Sequence, residues 1–213
     1  MTLRLAVVYG SVRHHRQGIK AARFIANQCR DRGHDVKLLD ALELDLPLLD
    51  KMYKEYEQGE APETLESLAR IIRVSDAFVI VTGEYNHNVP PGLSNLLDHF
   101  LEEYFWKPSA IVSYSAGSFG GVRAAIPLRE MLAEMGMASI PSTLPVPRVH
   151  DAFDEDGTPK DPEAWQKRTG RFLDELEWYA TALRDARVRD GKDMCPGRGY
   201  CEALEAVAKT GKR

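Results

Sequence analysis

A chain of 213 residues, 44% hydrophobic and 28% charged, is long enough for one domain with a substantial core and too apolar to stay disordered. Its formal net charge of −4 argues against a general affinity for nucleic acid, which needs a basic face, and leaves room only for a local basic loop. No apolar run approaches the ~20 residues that cross a bilayer, no signal-cleavage pattern opens the chain, and three cysteines (Cys29, Cys195, Cys201) are too few for a disulfide framework, so a cytoplasmic protein is expected.

Residues 5–9 read as a buried strand, followed by a loop over 10–16 and a helix in which Ile19, Ala22, Ile25, Ala26 and Cys29 share one face. Gly33 stops that helix. Residues 35–40 form the second strand, 45–50 an extended apolar connection, and 51–62 a surface excursion too polar for the core. A helix over 63–74 turns Leu65, Leu68, Ile71 and Ile72 inward. The run 77–81 is the continuous β-branched stretch of a parallel strand buried on both faces. The helix after Pro91 is expected to end near Tyr104, and 110–114 is the fourth strand. In the next helix, 120–135, Pro127 either bends the axis or marks the true first turn. Pro141, Pro145 and Pro147 assign the fifth strand, 140–146, to a sheet edge, where a missing ladder donor costs little. A long helix over 161–187 carries Trp165, Phe172, Leu176, Tyr179 and Leu183 at helical spacing. The alternation predicts a doubly wound, five-stranded parallel sheet in three α/β/α layers: a single domain over 1–187, with 188–213 a polar tail or short appended helix.

In such a sheet the loops after strands one, three and four open on one edge, where open α/β folds bind ligands. The first, 10–18, brings Ser11, Arg13 and Arg16 to the amino end of a helix, whose amides and dipole favour an anion and whose arginines suit a phosphate. It matches neither the Walker A nor the Gly-x-Gly-x-x-Gly pattern. Asp40 then reads as a strand-end carboxylate. The loop over 83–90 is pinned between an apolar strand and the helix opened by Pro90 and Pro91; it is either a ligand-lining turn or an ordinary connection. The loop over 115–121 has glycines that let backbone approach a flat ligand, and reads equally as a plain glycine-rich helix entry. His14 and His15 lack metal-ligand spacing, and Cys195 and Cys201, with no histidine or second pair nearby, make a poor zinc site.

Together the three loops resemble the NADPH-dependent FMN reductase family of flavodoxin-like proteins, which includes quinone, azo-dye and chromate reductases. The resemblance covers about the first 147 residues, through Gly10-Ser11-Val12-Arg13, Glu84-Tyr85-Asn86, the Pro-x-x-Leu-x-Asn-x-x-Asp pattern over Pro90 to Asp98, and Gly120-Gly121. It implies a flavodoxin-like fold, with FMN phosphate held by Ser11, Arg13, Arg16, Gln17 and Gly18. It further implies that the flavin ring is lined by Glu84, Tyr85, Asn86 and His87 on one side and by Ser115, Ala116, Gly117, Ser118 and Gly120 on the other. Two departures stand out. Gly83 replaces the usual proline, making that peptide freer, and Arg16-Gln17-Gly18 replaces small polar residues, so position 18 offers no side chain.

The activity implied is hydride transfer from NADPH or NADH through bound FMN to a quinone-like, azo or other small acceptor, with the flavin carrying the electronic chemistry. No residue need act as general acid or base; His87 either donates a proton or contacts the acceptor. The competing reading is a flavodoxin-like electron carrier or redox sensor without small-molecule turnover, and a hydrolase is disfavoured because Gly-x-Ser-x-Gly is absent. Members of the family often form dimers. A homodimer or homotetramer is expected here, through the helix after Pro91 or the long terminal helix, with Phe100, Tyr104, Phe105 and Trp106 clustered near the ligand edge.

Overall fold

A computed structural model describes residues 1–192 of the chain. In order, the elements are β1 (Arg4–Tyr9), α1 (Gly18–Asp31), β2 (Asp35–Asp40), α2 (Ala41–Leu44), α3 (Glu63–Val74), β3 (Ala77–Thr82), α4 (Pro91–Asp98), β4 (Pro108–Tyr114), α5 (Val122–Glu134), β5 (Ala138–Val146), α6 (Val149–Ala152) and α7 (Pro162–Arg189). All strand pairings are parallel, in the order β2-β1-β3-β4-β5, which is the flavodoxin-like doubly wound topology expected.

Strand pleating divides the core. Leu5, Val7 and Tyr9 of β1, with Val79 and Val81 of β3, face α1 and α7; Ala6, Val8, Phe78 and Ile80 face α3, α4 and α5. Every residue of β3 is buried, which is why its sequence shows no polar alternation. Cys29 packs in the first of these cores, and burial pushes its thiol up to about 12. Cys195 and Cys201 lie outside the described residues.

β5 lies at the edge, as its prolines require. Its register against β4 shifts between Ser109 and Ile111, around Pro141. The carbonyls freed there are taken up by Arg129 of α5, which donates to Ile140 at 2.7 Å, and the amide of Ser142 is accepted by Glu175 at 3.2 Å.

Several boundaries differ from expectation, each for a tertiary reason. α4 stops at Asp98, because Leu101 leaves helical geometry and the chain turns under itself to bury Phe100 against Tyr53 and Tyr104 against Phe78. Since α4 runs back against the strand direction, these aromatics sit at the amino edge of the sheet, before β4 begins, and not at the ligand edge. α5 starts at Val122 because Gly120 and Gly121 are left-handed, with φ of 65° and 74°; Pro127 therefore lies inside the helix and does not open it. α7 begins on Asp161, whose side chain accepts from the Ala164 amide at 3.1 Å, and continues to Arg189, past the expected end. Its buried Arg184 and Arg187 come within 4.0 and 3.8 Å of the Asp76 carboxylate, which also pairs with Arg4 at 3.1 Å. This acidic residue, 1% exposed, ties the terminal helix to the amino edge of the sheet.

At the opposite edge the amino end of α4 lies directly on the turn after β1. A Cβ on Gly10 would fall 2.2 Å from Leu93 Cβ, and one on Gly92 would fall 2.6 Å from the Gly10 carbonyl oxygen. Gly10→Ala is therefore expected to lower unfolding free energy by about 1–3 kcal/mol through overpacking, read as a reduced urea midpoint.

Candidate active site

The loops after β1, β3 and β4 converge at the carboxyl edge, each held by different chemistry. In the first, Ser11 is buried while Arg13, His14, His15 and Gln17 are exposed. α1 opens at Gly18 with no side-chain cap from Gln17 and no acid in its first turn, so its first amides remain available to an anion. The Arg13 guanidinium lies 5.9 Å from the centre of the Tyr85 ring, leaning across to the second loop.

Arg16 is placed differently from Arg13. Its guanidinium pairs with Asp40 at the end of β2, donates to the Ser11 carbonyl at 3.3 Å and lies 5.5 Å over the Tyr9 ring. Asp40 in turn caps α2 by accepting from the Leu42 amide at 3.1 Å. The carboxylate that the sequence offers as a plain strand end thus anchors the base of the first loop.

The second loop closes as a two-residue hairpin: the Tyr85 amide donates to Asn88 at 3.1 Å and the Asn88 amide donates back at 2.9 Å. Asn86 and His87 form its tip with φ of 51° and 64°, so both are displayed to solvent by a turn that needs positive φ at its two central positions. Glu84, at its base, accepts from the Arg123 amide in the first turn of α5 at 3.1 Å and faces the Arg123 guanidinium at 3.5 Å. That guanidinium also lies 4.6 Å over Phe119, so one arginine joins the second and third loops.

The third loop is tied from behind. The Ser115 amide donates to Val146, Arg148 donates to the Gly117 carbonyl at 3.0 Å, and the Ser113 hydroxyl donates to Gly120 at 2.7 Å. Ala116, Gly117 and Ser118 are consequently exposed on a fixed backbone, and Phe119 stands 63% exposed beside them.

Between the loops stands Tyr114, the last residue of β4. A Cβ on Gly18 would fall 2.1 Å from its ring, one on Gly83 would fall 3.0 Å from its hydroxyl, and one on Gly121 would fall 2.5 Å from its carbonyl oxygen. Gly83 is buried against this ring, so glycine in place of proline makes room for it. Tyr114 lies 6.2 Å from Tyr9, ring centre to ring centre, with Ser11 alongside both hydroxyls. Burial pushes both phenols up, Tyr114 well above the usual range, so both hydroxyls keep their protons and remain donors at neutral pH.

The structure thus brings the three loops together at one edge, through Arg13 on Tyr85, Gly18 and Gly83 on Tyr114, and Arg123 between Glu84 and Phe119, with Arg16 turned to Asp40. Tyr114, Arg123 and Asp40 were not singled out by sequence as site residues. Tyr114 ends an apolar strand and Arg123 begins an ordinary amphipathic helix; the only hint was the pair of glycines at unexpected positions. Because the Arg16 and Asp40 side chains are only 14% and 2% exposed, Arg16→Ala strands a buried carboxylate. It should cost about 3–5 kcal/mol of stability by urea denaturation, with the Arg16→Met/Asp40→Asn double variant recovering much of the loss.

Comparison with known proteins identifies the family and the fold. The profile of the NADPH-dependent FMN reductase family matches residues 3–151. A quinone reductase of Pseudomonas putida KT2440 is 37% identical over 140 residues, 62% of this chain and 71% of that protein. A quinone reductase of Escherichia coli K12 is 41% identical over 92 residues, spanning 41% of this chain and about half, 48%, of that protein. Among solved structures, the flavoenzyme NAD(P)H:(acceptor) oxidoreductase FerB from Paracoccus denitrificans shares the fold, with a TM-score of 0.67, 23% identity, and coverage of 84% of this chain and 98% of that one. The chain belongs to the NADPH-dependent FMN reductase family and is an NAD(P)H- and FMN-dependent oxidoreductase.

Proposed function

We propose that the crevice between the three loops holds FMN and passes reducing equivalents from NADPH or NADH to a small acceptor of the quinone or azo type. The observation that carries this reading is the division of labour along the crevice. Uncapped α1 amides with Ser11, Arg13, Gln17 and Gly18 suit a phosphate at one end. An aromatic, hydrogen-bonding turn (Glu84, Tyr85, Asn86, His87) faces a glycine-containing shelf (Ser115, Ala116, Gly117, Ser118, Gly120) at the other, a pairing that suits a flat ring. Arg16 serves the phosphate end indirectly in this reading, by holding the loop through Asp40.

When bound, FMN supplies the electron-transfer chemistry. The chain's own residues bind and orient. Arg13 neutralises the phosphate, the Tyr85–Asn88 hairpin and the third loop set the width of the ring site, and Arg123 fixes that width by joining Glu84 to Phe119. His87, at the exposed hairpin tip, meets the acceptor from the solvent side. Quinone acceptors are favoured because the relatives at 37% and 41% identity are quinone reductases.

We also infer a single domain over 1–187, a cytoplasmic location, where nicotinamide cofactors and reduced cysteines are at home, and assembly as a homodimer or homotetramer. Val122 and Ile126 of α5 continue from Phe119 as an exposed apolar stripe beside the crevice, which favours a helical interface there. No helix among the described residues is long and apolar enough to cross a membrane.

Purified protein should retain or take up FMN, and NADPH oxidation with 1,4-benzoquinone should continue for many turnovers. Stoichiometric flavin reduction without turnover would favour the electron-carrier reading instead. Arg13→Ala, which removes an exposed side chain, should weaken FMN about ten- to a hundredfold by fluorescence titration and leave circular dichroism unchanged. Sedimentation at micromolar concentration should give a species larger than a monomer; a monomer would remove the assembly proposal.

A further inference from the structure

The two departures from the family pattern, glycine at 18 and glycine at 83, share one cause. The Tyr114 ring occupies the space a side chain at Gly18 would need, 2.1 Å from a Cβ there, and its hydroxyl sits tight against a Cβ on Gly83, at 3.0 Å. The ring is not fully enclosed: Tyr114 is partly exposed, while Tyr9 behind it is 0% exposed. Its phenol end therefore stands against the first residue of α1, where helix amides lack a side-chain cap.

Behind the ring, the buried Tyr9 hydroxyl lies beside the Tyr114 and Ser11 hydroxyls, so the Tyr114 proton can turn either inward to Tyr9 or outward.

Resting on the FMN reading above, we propose that the Tyr114 hydroxyl is a cofactor-binding group that donates a hydrogen bond to the FMN phosphate, replacing the side-chain donor absent at position 18. Tyr114 directs its proton outward to a phosphate oxygen, and its own oxygen then accepts from Tyr9. The donor comes from the end of β4 instead of from α1, and the glycines at 18 and 83 are the room it requires. A neutral phenol is suited to this role because burial keeps it protonated, and a charge-assisted bond to phosphate is stronger than one between neutral groups.

Tyr114→Phe keeps the ring that fills the space and removes only the donor. In parallel titrations with FMN and riboflavin, the variant should bind FMN about ten- to a hundredfold more weakly and riboflavin as the wild type does, with unchanged circular dichroism and melting temperature. Equal losses for both ligands would place the hydroxyl on the ribityl chain and overturn the phosphate assignment; unchanged affinities would overturn the proposal altogether. Wild-type protein that takes up no FMN would defeat the functional reading as well, which distinguishes the two failures. The steric half is tested separately. Gly18→Ser should destabilise the fold in the wild-type background and be tolerated beside Tyr114→Ala, and a Gly18→Ser variant as stable as wild type would contradict it.

Discussion

Because all five strands are parallel and covered on both faces, each must be followed by a crossover that returns the chain to the starting edge, and every strand ends on the other. That constraint separates the two edges by task. The amino edge is closed with buried polar anchors: Asp76 gathers Arg4, Arg184 and Arg187, and the Lys107 ammonium donates to the carbonyls of Ile72, Arg73 and Glu103. The carboxyl edge keeps its loops free to face a ligand. α7 lies on the sheet through its apolar face, Trp165, Phe172, Leu173, Leu176 and Ala180, and Asp76 pins its last turns.

At the carboxyl edge, backbone contact does the positioning. Gly10 and Gly92 let α4 rest on the first loop without an intervening side chain, while Gly18, Gly83 and Gly121 surround Tyr114. These contacts leave little freedom for the crevice to change shape, since close-packed atoms transmit displacement instead of absorbing it. The loop residues at this edge are thereby held in place, and a preordered site lowers the ordering cost of binding.

Charge pairing adds a second layer. Arg13 and Arg16 are three residues apart, yet one is exposed toward Tyr85 and the other turned inward to Asp40, because the β2 carboxyl terminus lies beneath the loop. Glu84 and Arg123 are distant in sequence and meet because β3 and β4 are neighbours, each ending where the other's following loop begins. A carboxylate at the start of α5 is favoured by the helix dipole as well as by the arginine.

Sequence alone determined the strand order's ingredients and the edge at which the three candidate loops meet. The unbroken apolar runs identified buried parallel strands, the prolines of β5 fixed an edge, and the polar turns after strands one, three and four lay where a parallel sheet must collect them. These features are local, or follow from parallel topology, and so can be read along the chain. Tertiary structure decided the early end of α4, where burying Phe100 and Tyr104 outweighed helical continuation, and the contacts of Arg16, Arg123 and Tyr114. None of these had a local signature, because each depends on a partner 24 or more residues away: Arg16 on Asp40, Arg123 on Glu84, and Tyr114 on the empty space at Gly18 and Gly83. Side-chain identity sets what a residue can do, but which group it meets is fixed only when the crossovers bring the strand ends together.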